Sequence, residues 1–179
     1  MADEQRQPRL AGWYWASAAV VLLALCPNII LSTAFAFMQR PIMAALHRDQ
    51  TWIQVVESLS NAGYAFGAVL AAYLVQRYPQ RRLFLLTEAA FVVGSALCTA
   101  AWAGLTFAIG RILQGFATGL MLVIALPPLT TQYPLPRLPV TAAVINIGLF
   151  GAVTVGPLLG GASASGWRWL FGAASCVGA

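Results

Sequence analysis

The chain alternates between long apolar runs and short polar punctuation, and that rhythm sets its architecture. Leu10 to Met38 carries no charge at all. Four further stretches of similar length follow, each closed by arginine, proline or tryptophan. A spanning helix needs about 20 predominantly apolar residues. Five segments meet that need, at about residues 13–38, 52–75, 83–103, 105–126 and 140–165. A sixth begins at Trp169 and stops after a turn or two more. The period-2 alternation of a barrel strand is absent, so the runs predict helices. The first run exceeds the roughly 7–15-residue core of a secretory signal, and it reads as a span. The expected fold is therefore an all-α membrane protein: a cytoplasmic tail over residues 1–12, then a helical bundle over residues 13–179.

Composition strengthens this picture. Hydrophobic residues make up 60% of the chain and charged residues 8%, against about a quarter charged in a soluble domain. Lipid is the expected solvent for most of it. All ten cations are arginine, and the formal net charge is +5. They lie in ones to threes between apolar runs, which fits membrane loops and excludes a nucleic-acid face. With the N-terminus in the cytoplasm, Arg6, Arg9, Arg77, Arg81, Arg82 and Arg137 fall inside. Arg40, Arg48 and Arg168 fall outside. The inward excess supports that orientation and a multi-pass protein of the cell membrane. The six tryptophans sit near predicted span ends, where interfacial anchors belong. The linker PPLTTQYPLPRLP carries five prolines and reads as a cytoplasmic connection.

Candidate chemistry is sparse. Cys26, Cys98 and Cys176 have no metal-ligand spacing and read as small buried hydrophobes. No metal or cofactor is expected. The only histidine, His47, lies in the predicted outer loop. No H-E-x-x-H, paired intramembrane aspartate or G-x-S-x-G appears, so an enzyme is not expected. Three ionisable residues fall inside spans, where charge is expensive and points to function. Glu57, near the start of the second span, reads as interfacial. Glu88 in the third and Arg111 in the fourth are the candidates for a substrate or proton pathway. Their expected depths differ, so a direct pair between them is not expected. Arg111, Gln114 and Gly115 share one helical face, and Gly115 and Gly119 form a G-x-x-x-G step that admits a neighbouring helix closely.

Arg111 to Gly119, RILQGFATG, resembles the R-x-x-Q-G-x-[GA]-x-[GA] motif of helix four in the major facilitator superfamily. Gly151 to Gly161, GAVTVGPLLGG, is similar to the G-x-x-x-x-G-P-x-x-G-G motif of helix five in its drug:proton antiporters. Trp167 to Phe171, WRWLF, resembles the sequence that opens helix six there. The resemblance covers essentially the whole chain and implies the N-terminal half of a 12- or 14-helix bundle. It implies secondary active transport by alternating access, with proton-coupled efflux of small amphipathic or drug-like compounds. Arg111 would be the fixed cation near the cavity and Gln114 its orienting partner. Gly151, Gly156, Pro157, Gly160 and Gly161 would give a bent helix with a smooth side toward a helix of the other half. The stretch from Ala72 to Arg81 resembles the cytoplasmic loop motif that latches the two halves. Arg77 and Arg81 match it, Arg82 adjoins it, and Gln76 replaces its acid. The expected partners are the bilayer, a small-molecule substrate, a proton, and a C-terminal half from the same or another chain. The alternative is a truncated or split half with no transport of its own.

Overall fold

The computed structural model describes residues 11–125, 138–162 and 166–177. The helices are α1 (Ala11–Leu46), α2 (Gln50–Leu74), α3 (Gln80–Thr99), α4 (Gly104–Ala125), α5 (Leu138–Ala162) and α6 (Trp167–Val177). The described residues contain no strand. Four helical segments are long and apolar enough to cross a membrane: Val21–Leu46, Gln80–Thr99, Gly104–Ala125 and Ala142–Ala162. Helix α2 has 25 residues, about 37 Å at 1.5 Å per residue. Its length suffices, but Gln54, Glu57, Ser58, Ser60 and Asn61 lower its apolarity. The described part of α6 has 11 residues and is too short to cross. Residues 1–10 of the predicted cytoplasmic tail and most of the proline-rich linker lie outside the described residues, while the tail's last two, Ala11 and Gly12, already belong to α1.

Helix α1 runs eight residues past the expected stop at Met38, through Arg40 and Pro41 to Leu46. Proline deletes one backbone donor, but the packing face continues unbroken. Leu31, Phe35, Met38, Ile42 and Leu46 recur at helical spacing and are all buried, while Arg40 faces out. The helix ends at His47, in the left-handed region with φ 50°. The Arg48 amide then donates to the Met43 carbonyl at 3.0 Å, a Schellman-type close. Asp49 starts α2 at once, its carboxylate accepting from the Trp52 amide at 3.2 Å.

Helix α4 is the centre of the bundle, packed against α2 on one side and α3 on the other. Glycines make both contacts. At Gly63 and Gly67 of α2, a Cβ would meet the carbonyls of Ile112 and Phe116. At Gly115 and Gly119 of α4, it would meet those of Ser60 and Tyr64. On the other side, a Cβ at Gly94 would lie 2.9 Å from the Gly110 carbonyl. Helix α5 packs on α1, and α6 packs on α3 and α1.

Aromatic rings close the end that holds the α1–α2 and α3–α4 connections. The Phe107 ring lies 6.2 Å from those of Phe35 and Trp52, 5.7 Å from Trp167 and 5.8 Å from Phe171, centroid to centroid. Trp167 is therefore a core residue rather than an interfacial anchor. Trp102 and Trp169 stay exposed. At the opposite end, the Gln80 amide donates to the Ile124 carbonyl at 2.6 Å and ties α3 to the last turn of α4. Arg77, Arg81 and Arg82 are exposed there, with the Arg77 guanidinium over the Tyr73 ring at 4.8 Å.

Helix α5 corrects one expectation. Its motif implies a smooth side that faces another half. Instead, a Cβ at Gly156 would strike Thr33 and the Ile30 carbonyl, and one at Gly160 the Ala34 backbone. These two glycines seat α5 on α1 within this chain. Gly151 and Gly161 meet nothing within 4 Å. The two sets lie on different sides of one helix, which is why one pattern serves two surfaces.

Adding a methyl where a carbonyl already sits forces the helices apart. Gly119→Ala is expected to destabilise the protein by about 1–3 kcal/mol. Gly172→Ala, whose nearest neighbour Thr99 lies 3.6 Å away in ordinary contact, should stay within about 0.5 kcal/mol. Unfolding in mixed detergent micelles compares the two. Equal stability of both variants would refute the tight α2–α4 seam.

Candidate functional site

A cavity of about 260 Å³ lies between α1, α2 and α4. Gln114 stands midway along α4, so the cavity sits at mid-depth of a spanning helix. Helix α1 contributes Asn28, Ser32 and Thr33 beside Ile29 and Leu31. Helix α2 contributes Glu57, Ser60, Asn61 and Tyr64, spaced i, i+3, i+4 and i+7 and so one stripe. Helix α4 contributes Arg111, Gln114, Gly115 and Thr118, and Phe91 reaches in from α3.

The close seams bring these groups into hydrogen-bond range. Arg111 is 5% exposed and Gln114 2%. Arg111 Nη1 donates to Gln114 Oε1 at 3.2 Å. Gln114 Nε2 donates in turn to Ser95 Oγ at 2.8 Å. The guanidinium carbon lies 4.0 Å from the centroid of the Phe35 ring, a cation–π contact. Ser60 Oγ donates to the Arg111 carbonyl at 2.8 Å across the α2–α4 seam. Thr118 Oγ1 sits 2.7 Å from the Gln114 carbonyl and 2.9 Å from Asn28 Oδ1, tying α4 to α1. The guanidinium is thus held by an amide and a ring, and the Arg111 main chain by the Ser60 hydroxyl. Arg111 Nε has no hydrogen-bond partner among the described residues. The arrangement is a fixed positive charge beside a partly open space lined by both polar and apolar side chains.

The structure brings Arg111, Gln114 and Gly115 together on the cavity, as their spacing implies. Glu88 is not among the lining residues. Its Oε2 is buried without a hydrogen-bond partner among the described residues. Glu57, which the sequence places at the interface, instead lines the cavity and accepts from Gln39 Nε2 at 2.8 Å. Helix α1 reaches far enough to supply that amide because it does not stop at Met38. Gly119 supports the seam, one turn beyond the lining residue Gly115. The exposed arginines at residues 77, 81 and 82 stand apart from the cavity, and the glycines of α5 do not line it, although Gly156 packs behind the lining residue Thr33. The stripe Glu57, Ser60, Asn61 and Tyr64 is not singled out by sequence reasoning, though its periodicity in an otherwise apolar span is a usable signal. So is Gly63-x-x-x-Gly67, the counterpart of the Gly115–Gly119 step.

Residues 12–179 match the sequence profile of the Major Facilitator Superfamily. Among curated relatives, the chain is 29% identical over 160 residues to the uncharacterized MFS-type transporter YubD of Bacillus subtilis, covering 88% of this chain and 31% of that protein. It is 32% identical over 161 residues to a multidrug resistance protein B homolog of Mycobacterium tuberculosis, covering 87% and 29%. It is 35% identical over 114 residues to the drug efflux pump JefA of the same species, covering 60% and 22%. The chain thus spans under a third of the length of these relatives.

Gln114 serves both Arg111 and Ser95, so its loss leaves two buried groups without a partner in an apolar surround. Gln114→Ala should cost about 3 kcal/mol, and Ser95→Ala about 1 kcal/mol. Denaturant unfolding of the purified variants measures both. A Ser95→Ala penalty at or above that of Gln114→Ala would contradict the central place of the amide.

Proposed function

Because this chain belongs to the Major Facilitator Superfamily, we propose that it forms the N-terminal part of a secondary active transporter. Its task is to export small amphipathic organic compounds across the cell membrane in exchange for protons, with its N-terminus in the cytoplasm. The observation that carries this reading is the Arg111–Gln114–Ser95 chain, buried at mid-depth, whose first two members line the cavity. A membrane protein keeps a buried cation only where the charge has work to do. Transporters of this general plan hold substrate near the bilayer midplane between helices. Relatives named as multidrug resistance and efflux proteins supply the substrate class and direction. Glu57 and Glu88 are the two acids within the described spans on which a proton can travel. The arginine excess at residues 77, 81 and 82 supports the orientation.

The open side of α5 bears on how the chain works. Gly151 and Gly161 face nothing within 4 Å, and Ile147, Phe150 and Leu158 are exposed around them. A C-terminal half seated there covers this exposed apolar surface and allows rocking between two bodies. The second reading, a half that transports nothing alone, rests on that same uncovered surface.

Arg111→Ala, made in the protein as its host makes it, should lower energised efflux of a fluorescent dye by about tenfold or more while leaving its membrane level unchanged. Arg111→Lys should not restore efflux, since an ammonium lacks the planar face that rests on Phe35. A protonophore should abolish the wild-type signal. Undiminished efflux by Arg111→Ala would refute the proposed role.

A further inference from the structure

Arg168 has no counter-charge in its own part of the chain. The acids of the sequence are Asp3, Glu4, Asp49, Glu57 and Glu88, so no carboxylate follows Glu88. The Arg168 guanidinium lies in the seam between the start of α6 and the α3–α4 connection. Nη2 donates to the Ala101 carbonyl at 2.8 Å. The guanidinium carbon lies 5.1 Å from the centroid of the Trp102 ring and 4.9 Å from that of Trp167. A carbonyl and two ring faces accommodate a cation but do not neutralise it. Nε is buried with no hydrogen-bond partner among the described residues. Trp167 is buried, whereas Trp102 and Trp169 are 85% and 84% exposed. A half-buried positive charge therefore sits beside one core indole and two that leave the protein surface.

Its depth selects the partner. Arg168 opens α6 and Trp102 follows α3, so both lie at span ends, at the level of lipid headgroups. An indole suits that level, since its ring is apolar and its N–H polar. A phosphate diester at the same level supplies the negative charge and acceptor oxygens that the guanidinium lacks. The main helix packing runs α2–α4–α3–α6–α1–α5. The α3–α6 seam is in the middle of that series and the open side of α5 at its end. A C-terminal half seated on α5 therefore leaves this seam to lipid.

We propose that Arg168, Trp102 and Trp169 form a binding site for the headgroup of an anionic phospholipid. The leaflet is the one at the end of the bundle that holds the α1–α2 and α3–α4 connections. The phosphate oxygens take guanidinium donors that the Ala101 carbonyl leaves free, and the two exposed indoles flank the upper acyl chains. Anionic lipid is preferred because Arg168 is uncompensated: a choline or ethanolamine headgroup brings a second cation to a place with no acid. Lipid held there pins the start of α6 to the α3–α4 connection.

The test uses the purified protein as its host makes it, in phosphatidylcholine vesicles. These carry equal fractions of either dibrominated phosphatidylglycerol or dibrominated phosphatidylcholine, brominated high on the acyl chains. Bromine quenches a neighbouring indole, so tryptophan emission reports which lipid sits beside Trp102 and Trp169. Phosphatidylglycerol should be preferred about fivefold over phosphatidylcholine, and less so as salt rises. Arg168→Gln should bring that ratio close to one, while Arg168→Lys, which keeps the charge, should retain most of it. Arg48→Gln, exposed at the same end of the bundle, should change the ratio by less than about twofold. Trp102→Phe combined with Trp169→Phe should remove the excess quenching with Arg168 still in place. A ratio near one in the wild type overturns the site and gives the charge to another partner, such as a carboxylate elsewhere in the protein. The site is also overturned if Arg48→Gln lowers the ratio as much as Arg168→Gln, the mark of general surface charge. Excess quenching that survives the loss of both indoles overturns it too. So does displacement of the lipid by millimolar inorganic phosphate, the mark of a soluble-anion site. None of these outcomes bears on the transporter reading.

Discussion

The Ser60 carbonyl occupies the place that a Cβ at position 115 would need, and the Tyr64 carbonyl does the same for position 119. That approach of backbone to backbone is the constraint on which the bundle depends. Lipid tails are as apolar as leucine, so burying side chains gives helices little reason to associate in a membrane. Close van der Waals contact must supply the attraction, and only glycine lets two helices come this near. The seam is reciprocal: Gly63 and Gly67 receive α4, and Gly115 and Gly119 receive α2. With Gly94 and Gly110 meeting on the other side, α4 is fixed from two directions. Only then can Ser60 reach the Arg111 carbonyl.

A bilayer also offers no water to a stranded polar group. The hydroxyls of Ser32, Thr33, Thr87, Thr99 and Thr154 all donate back to the carbonyl four residues earlier. These side chains need no neighbour. Asn28 Nδ2 donates to the Ala24 carbonyl in the same way, but Arg111, Gln114 and Asn28 Oδ1 depend on other side chains: Gln114 for Arg111, Ser95 of α3 for Gln114, and Thr118 of α4 for Asn28. A buried polar chain of this kind is sensitive to any shift of α4, since losing one member strands the next. The glycine seams and the polar chain are thus one design, with the first setting the distances that the second requires.

How much of this is legible in the sequence follows from the range of each interaction. The Arg111, Gln114, Gly115 and Gly119 face is readable, because it depends only on spacing along one helix. The helical class is readable from charge-free run lengths. What sequence reasoning misplaces depends on a second helix. Pro41 and Arg40 look like a span end because a local rule says so. The continuing face of Phe35, Met38, Ile42 and Leu46 overrides it, and that face acquires meaning only against Phe107 and Trp167. Glu57 looks interfacial when its depth is judged from the start of its own span. Its true setting includes Gln39, which the expected first helix leaves in a loop. Glu88 attracts attention as an acid in an apolar run, yet depth alone does not say which side of α3 faces a cavity.

Helix α5 meets the same limit from the opposite direction. Its proline and glycines form a single motif, and a single motif suggests a single surface. In the bundle, Gly156 and Gly160 are pressed on Thr33 and Ala34 of α1, so that side cannot slide without lifting off. Thr33 also lines the cavity. Any movement of α5 transmitted through Gly156 therefore reaches the cavity wall in one step, through contact rather than through a long relay. Gly151 and Gly161 lie on other sides of the helix, among the exposed side chains of Ile147, Phe150 and Leu158. Helix α5 is thus anchored on one side to the cavity wall and presents an exposed apolar surface elsewhere. One run of glycines serves a packed face and an open one, a division that spacing along a single helix does not reveal.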